Sequence, residues 1–205
     1  IVPLAALALL ASLHANAAPS IPKWDRFEQS FESTANYSNP IQEAKLQVSF
    51  TSPSGEKQTV PGFWDGGRTW RVRFAPNKEG KWTFQTTCSD ASNKGLHQQK
   101  GEFTCGGSAK KNRFSEHGPV QVSPDGRYLM HEDSTPFLFI ADTAWNGALL
   151  SSADDWDYYI RERKRQKFTA VQWVTTQWRA APDGDETKQL AYTGPPNRIE
   201  INPAF

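Results

Sequence analysis

The strongest constraint on the fold is a change of hydrophobic period partway along the chain. From Trp24 to about Gly107 the period is two. Leu46, Val48 and Phe50 alternate with Lys45, Gln47 and Ser49, and Trp70, Val72 and Phe74 alternate with Arg71 and Arg73. Trp82, Phe84, Thr86 and Cys88 alternate with Lys81, Thr83, Gln85 and Thr87. Each run predicts a strand with one buried face, because successive side chains of extended backbone point to opposite sides. Turn signals separate the runs at Ser52-Pro-Ser-Gly55, Asp65-Gly-Gly67 and Ala75-Pro-Asn-Lys-Glu-Gly80. Short, closely spaced strands without a long helical segment predict an antiparallel β-sandwich over residues 24–107.

Strands of this number and spacing are of immunoglobulin-like type. Cys88 shares a strand face with Trp82 and Phe84, and Cys105 shares one with Phe103. The two strands flank the polar loop Ser89 to Lys100, so a hairpin brings the cysteines near each other. Two readings stand: a Cys88–Cys105 disulfide, contributing roughly 3 kcal/mol by loop-closure entropy, or two buried thiols. Adjacent Phe63 and Trp64 face opposite sides of extended backbone, so one enters the core. Trp64 then either plugs the sandwich edge or meets the next domain or a glycan.

Beyond the polar stretch Gly106 to Asn112 the pattern changes. Residues 108–135 read as a linker and a β-hairpin, with a turn at Ser123-Pro-Asp-Gly126 and another at Glu132-Asp-Ser-Thr-Pro136. Pro136 to Ala141 is continuously apolar, which predicts a strand covered on both faces. Ser152 is placed as the N-cap of a helix, with Asp155 at its third position, acidic residues in its first turn and basic residues from Arg161 to Lys167 in its last. Trp156, Tyr159, Ile160 and Arg163 form one stripe. Phe168 to Val174 supplies a second strand, and strand–helix–strand predicts parallel pairing. Residues 136–205 thus read as a truncated α/β domain, the first βαβ unit of a TIM barrel, with the remainder expected beyond Phe205 and a further helix starting at Asn202-Pro-Ala-Phe205.

In such a barrel the working residues sit at the C-terminal ends of the strands. Those positions hold Asp142-Thr-Ala-Trp145 and Thr175-Thr-Gln-Trp178. Asp142 reads equally as a ligand for a sugar hydroxyl and as an acceptor for amides of its own loop. Trp145 and Trp178 offer ring faces to a sugar or pack within their loops, and Gln172 and Gln177 are candidate polar contacts. Glycoside hydrolysis requires a pair of carboxyl groups. Asp142 is the one carboxylate placed at a strand end, so no catalytic acid or nucleophile is nominated. His97, His117 and His131 are too scattered in sequence to indicate a metal site or a triad, and neither metal nor cofactor is expected.

The first residues set the compartment. Ile1 to Leu13 is apolar, and Ala15-Asn16-Ala17 fits a small-x-small cleavage site, so residues 1–17 read as a signal peptide whose basic n-region precedes Ile1. About 185 residues follow it, enough for one domain and part of another. A secreted or periplasmic location follows. A net charge of +1 with interspersed signs argues against nucleic acid, and no second apolar stretch reaches membrane length.

Phe31 to Cys105, with Tyr37-Ser-Asn-Pro40, Pro61-Gly-Phe-Trp-Asp-Gly66 and Trp70-Arg-Val-Arg-Phe-Ala-Pro76, resembles the immunoglobulin-like domain found ahead of glycoside hydrolases. His117-Gly-Pro-Val120, Phe137 to Trp145 and Arg163 to Gln172 resemble the opening of an apiosidase-like (β/α)8 barrel. The resemblance implies a secreted enzyme acting on side chains of plant or algal polysaccharides, with a contact between sandwich and barrel. Such barrels carry their catalytic carboxylates near the fourth and seventh strands, so this chain is expected to be inactive by itself. Asp142 and Trp145 carry over only as pocket residues. The alternative is a non-catalytic carbohydrate-binding or structural cell-surface module. One departure is Lys167, where these barrels have Gly before Phe168; either the turn does not require positive φ or the helix ends differently.

Overall fold

A computed structural model describes residues 20–205. The predicted leader at residues 1–17 lies outside the described residues. The first strands are β1 (Ser20–Pro22), β2 (Phe27–Glu32), β3 (Leu46–Thr51), β4 (Lys57–Pro61), β5 (Phe63–Trp64), β6 (Thr69–Phe74), β7 (Gly80–Cys88) and β8 (Lys100–Gly106), with a single helical turn, α1 (Pro40–Glu43), between β2 and β3. They form a five-stranded sheet of order β1-β8-β7-β3-β4 and a three-stranded sheet of order β2-β6-β5. The strands pair antiparallel except at the edge, where β1 runs parallel to β8 ahead of the predicted start at Trp24.

The inward positions of both sheets are those predicted by the alternation. Leu46, Val48, Phe50, Trp70, Val72, Phe74, Trp82, Phe84, Phe103 and both cysteines are buried in one cluster. Aromatic rings join the sheets: Phe50 stacks on Phe74 at 4.1 Å between centroids, and Phe27 stacks on Phe103 at 4.2 Å. The Trp82 indole is fully buried, and its N–H donates to Lys78 O at 2.7 Å, so its one polar atom is satisfied. On the outer face of the smaller sheet, Arg71 and Arg73 converge on Glu28. Trp64 stands opposite inward-facing Trp70 and packs on the core, while Phe63 turns outward beneath the Arg73 guanidinium.

The register corrects the disulfide reading. Cys105 is paired with Gly80 at one end of β7, and Cys88 is paired with Leu46 at the other. Eight residues of extended backbone separate the two ends, roughly 26 Å at the usual rise, whereas a disulfide spans about 5.5–6 Å between Cα atoms. Both cysteines are free and buried, and burial pushes each thiol above its ordinary range. A hairpin pairs residues equidistant from its turn. Here Cys88 meets the His97 ring, which accepts its backbone N–H at 3.1 Å, and Cys105 lies at the far end of β8.

The second part opens with α2 (Arg113–His117), a short helix that the linker reading missed. Its signal is Asn112, whose side chain accepts from the amides of Phe114 and Ser115 while the Ser115 hydroxyl side reciprocates at the cap. Strands β9 (Val120–Val122), β10 (Leu129–His131) and β11 (Pro136–Phe137) follow as an antiparallel sheet. Gly118 has φ of 85°, and a Cβ there would lie 2.9 Å from the Trp24 ring. This close approach seats the second part on the sandwich, beside the Lys111–Asp25 ion pair.

Next come β12 (Ala141–Thr143), the turn α3 (Gly147–Leu150), α4 (Ala153–Arg165) and β13 (Ala170–Gln172). β12 and β13 pair in parallel, as the strand–helix–strand pattern predicts. Ser152 caps α4 by accepting from the Asp155 amide. The expected doubly covered strand over Pro136 to Ala141 is corrected: it divides into β11 and β12, with Leu138 67% and Phe139 59% exposed. Among the described residues, α4 covers one face of the pair only. The antiparallel pair β14 (Tyr192–Thr193) and β15 (Glu200–Ile201) follows, and beyond it the Asn202 side chain accepts from the Ala204 amide at 3.0 Å.

Helix α4 ends in two reversed hydrogen bonds, Lys167 N to Lys164 O and Phe168 N to Arg163 O, both 3.0 Å. This is a Schellman ending, and it places Lys167 at φ of 70°. The turn therefore requires positive φ despite its lysine. Lys167→Gly should stabilise the chain by about 0.5–1 kcal/mol, measured by denaturant unfolding. Thiol titration of unfolded, non-reduced protein should find two reactive thiols; finding none would restore the disulfide.

Candidate functional site at the strand ends

Alternation along the parallel pair divides its side chains between two faces. Ala141 lies opposite Ala170 and Thr143 opposite Gln172, and these four share the uncovered face with Phe139. They line a groove of about 610 Å³, within the range of about 300–1,000 Å³ typical of small-ligand sites. Gln172 is exposed there.

Asp142 faces the other way, with Val171, toward α4. Its Oδ2 accepts from the Tyr159 hydroxyl at 2.7 Å and from the Arg163 guanidinium, while Oδ1 accepts from the Thr143 amide at 2.8 Å. Both carboxylate oxygens are thus engaged inside the fold. The Tyr159 hydroxyl and then Arg163 hold the carboxyl below its ordinary range. Arg163 is itself stacked on Tyr159 at 4.8 Å and on Phe168 at 5.3 Å. Asp142 thus accepts from the next amide of its own strand and forms a strand-to-helix latch. That latch explains why Arg163 lies on the apolar stripe of α4.

Trp145 and Trp178 are brought together from the ends of the two strands, with ring centroids 5.8 Å apart and planes at 41°. Trp145 is 49% exposed, so the pair presents aromatic surface to solvent. The Trp178 Nε1–H and the Asn146 Oδ1 are buried without a hydrogen-bond partner among the described residues. Asn146 is a residue that the sequence reading missed; it follows the Asp142-Thr-Ala-Trp145 motif and donates to Ala180 O at 3.1 Å. Gln177 is committed to its loop, accepting from the Ala191 amide at 2.9 Å and donating to Tyr192 O at 3.2 Å. It holds the loop under Trp178.

Histidines scattered in sequence meet in space. His117 and His131 rings lie 5.5 Å apart beside Asp133, whose Oδ2 is 2.7 Å from His117 Nδ1. His131 is fully buried, with Nδ1 2.7 Å from Gly118 O. Among the described residues no group of His, Cys, Asp and Glu is arranged to hold a metal. The Thr135 amide and His117 lower the Asp133 carboxyl from 3.8 to about 2. Its contribution to stability is therefore complete above about pH 4 and lost as pH falls toward about 2. Asp133→Asn should flatten that part of the acid-unfolding profile, followed by circular dichroism; an unchanged profile would exclude the linkage.

Comparison with known proteins adds the family context. Residues 20–89 match the model described as Domain of unknown function (DUF5060), and residues 123–205 match the Apiosidase-like, catalytic domain. No curated protein matches the chain. A solved structure from Bacteroides vulgatus ATCC 8482, provisionally described as a glycoside hydrolase, is 25% identical with a TM-score of 0.66. The match covers 85% of this chain and 32% of that one, so the chain spans about a third of its length. The chain is therefore similar to a DUF5060 domain over residues 20–89 and to an apiosidase-like catalytic domain over residues 123–205.

Proposed function

We propose that this chain forms the front of a secreted or periplasmic glycoside hydrolase acting on side chains of plant or algal polysaccharides. The observation that carries the reading is the Trp145–Trp178 pair at the ends of parallel strands, within the segment that matches an apiosidase-like catalytic domain. Parallel strands followed by loops present ligand-binding residues at their C-terminal ends. Aromatic faces there suit the C–H side of a sugar ring, and Trp145, 49% exposed, presents such a face beside Trp178. Gln172 and Thr143 add polar groups along the adjoining groove.

In this reading β12, α4 and β13 are the first βαβ unit of a (β/α)8 barrel, and Asp142 is a positioning residue rather than a sugar ligand. Hydrolysis needs two carboxyl groups flanking the scissile bond. Among the described residues Asp142 is the one carboxylate in these two strands, and it is engaged by Arg163 and Tyr159. The 205-residue chain is accordingly assigned no turnover of its own. For the sandwich we propose a seating role, supported by the approach of Trp24 to Gly118 and the Lys111–Asp25 pair.

The test is an assay of the complete reading frame's product on branched pectic and algal glycans. Trp145→Ala and Trp178→Ala should each lower kcat/KM at least about tenfold, or ~1.4 kcal/mol of transition-state stabilisation. Unchanged kcat/KM in both variants, or sugar release by the 205-residue chain itself, would overturn the assignment.

A further inference from the structure

A second cleft, separate from the strand ends, lies where the sandwich meets β15. Its volume is about 390 Å³, and Tyr37, Trp64, Gly66 and Gly67 on the sandwich side face Arg198 and Glu200 on the other. From this arrangement we infer that the cleft is a non-catalytic binding site for a neutral oligosaccharide. The carbohydrate class rests on the function proposed above; the location does not.

Both aromatic rings are held in place by bonds that consume their polar ends. The Trp64 N–H donates to Gly67 O at 2.9 Å. The Tyr37 hydroxyl donates to Asp90 Oδ2 and accepts from Asn93 Nδ2, both at 2.8 Å. Asn93 is buried and also bonds Ser33 Oγ at 2.7 Å, so the Tyr37 ring is anchored to the sandwich interior. What these residues offer the cleft is fixed apolar ring surface, which binds with little further loss of side-chain freedom.

The adjoining turn is stripped of side chains. Gly66 and Gly67 have φ of 93° and 52°. A Cβ on Gly67 would meet nothing within 4 Å, and one on Gly66 would meet only Ile201 Cδ1 at 4.0 Å. The conformation admits glycine readily and other residues poorly, and the result is an open floor beside the Trp64 ring. Across the cleft, Arg198 Nε and Glu200 Oε1 are 3.9 Å apart, with side chains 73% and 64% exposed. So loose a pair leaves donors and acceptors free for hydroxyl groups.

Rigid ring surface beside an exposed donor and acceptor matches a sugar, which has an apolar C–H face and polar edges. The opposed charges of Arg198 and Glu200 select a neutral sugar, because a uronate drawn to the guanidinium would also meet the carboxylate. The volume suits a short oligosaccharide. Because the two walls come from different parts of the chain, an occupant bridges the sandwich and the second part.

The experiment is calorimetric titration of the 205-residue chain with xylotriose, cellotriose and trigalacturonate. At least one neutral trisaccharide should bind, with Kd raised at least fivefold by the double change Arg198→Ala, Glu200→Gln and at least tenfold by Trp64→Ala. Trp64 also packs on the core, so the exposed double variant is decisive should Trp64→Ala fail to fold. The exposed change Arg127→Ala, outside both the cleft and the strand ends, should bind as the parent chain does. Absence of binding by both neutral sugars, or binding that survives the double change, would overturn the inference. Binding lost only in Trp145→Ala would also overturn it while leaving the strand-end function standing. Tighter binding of trigalacturonate would exclude the neutral class.

Discussion

Nine residues of β7 hold the sandwich in register, pairing with β3 on one side and β8 on the other. Trp82, Phe84, Thr86 and Cys88 all point inward from this one strand. A shift by one residue would send all four to solvent and bring Lys81, Thr83, Gln85 and Thr87 into an aromatic core. The stacked pairs Phe50–Phe74 and Phe27–Phe103 exist only in the register observed, because each joins strands of opposite sheets. Even the polar Thr86 is provided for: its hydroxyl donates to Leu96 O at 2.6 Å and accepts from the Gln99 amide at 2.8 Å. Those bonds tie the loop after β7 back to the strand.

The second part depends on a smaller device. Asp142 of β12 is bound to Tyr159 and Arg163 of α4, which fixes the helix on one face of the parallel pair. This leaves the opposite face, with Thr143 and Gln172, open as a groove. The same latch sends the carboxylate away from the surface where a sugar would lie. A residue at a strand end may belong to either face, and the two-residue alternation decides which.

The fold was legible wherever periodicity is unambiguous. The inward residues of β3, β6, β7 and β8 follow from alternation, and the Ser152 cap and the parallel pairing follow from local chemistry and the strand–helix–strand order. The cysteine pairing was misjudged because facing inward is necessary for a bridge but not sufficient. Counting from the turn centre would have set Cys88 against His97, as observed. The helix α2 was hidden by its five-residue length, although the Asn112 cap was there to be read. At the strand ends, Trp145 and Trp178 meet ring to ring, which no local pattern shows, whereas Gln177 is spent inside its loop and Asn146 was passed over.

By itself the sequence determined the two kinds of architecture and their order, since strand alternation and capping residues act over a few residues and need no knowledge of distant partners. Only the tertiary structure decided which polar groups are spent and which are free. It joined His117 to His131, Asp142 to Arg163, and the Trp64 turn to Arg198 and Glu200, across separations that no local pattern encodes. The physical reason is that a hydrogen-bond donor or acceptor finds its partner in space, after register and packing have fixed where each side chain points.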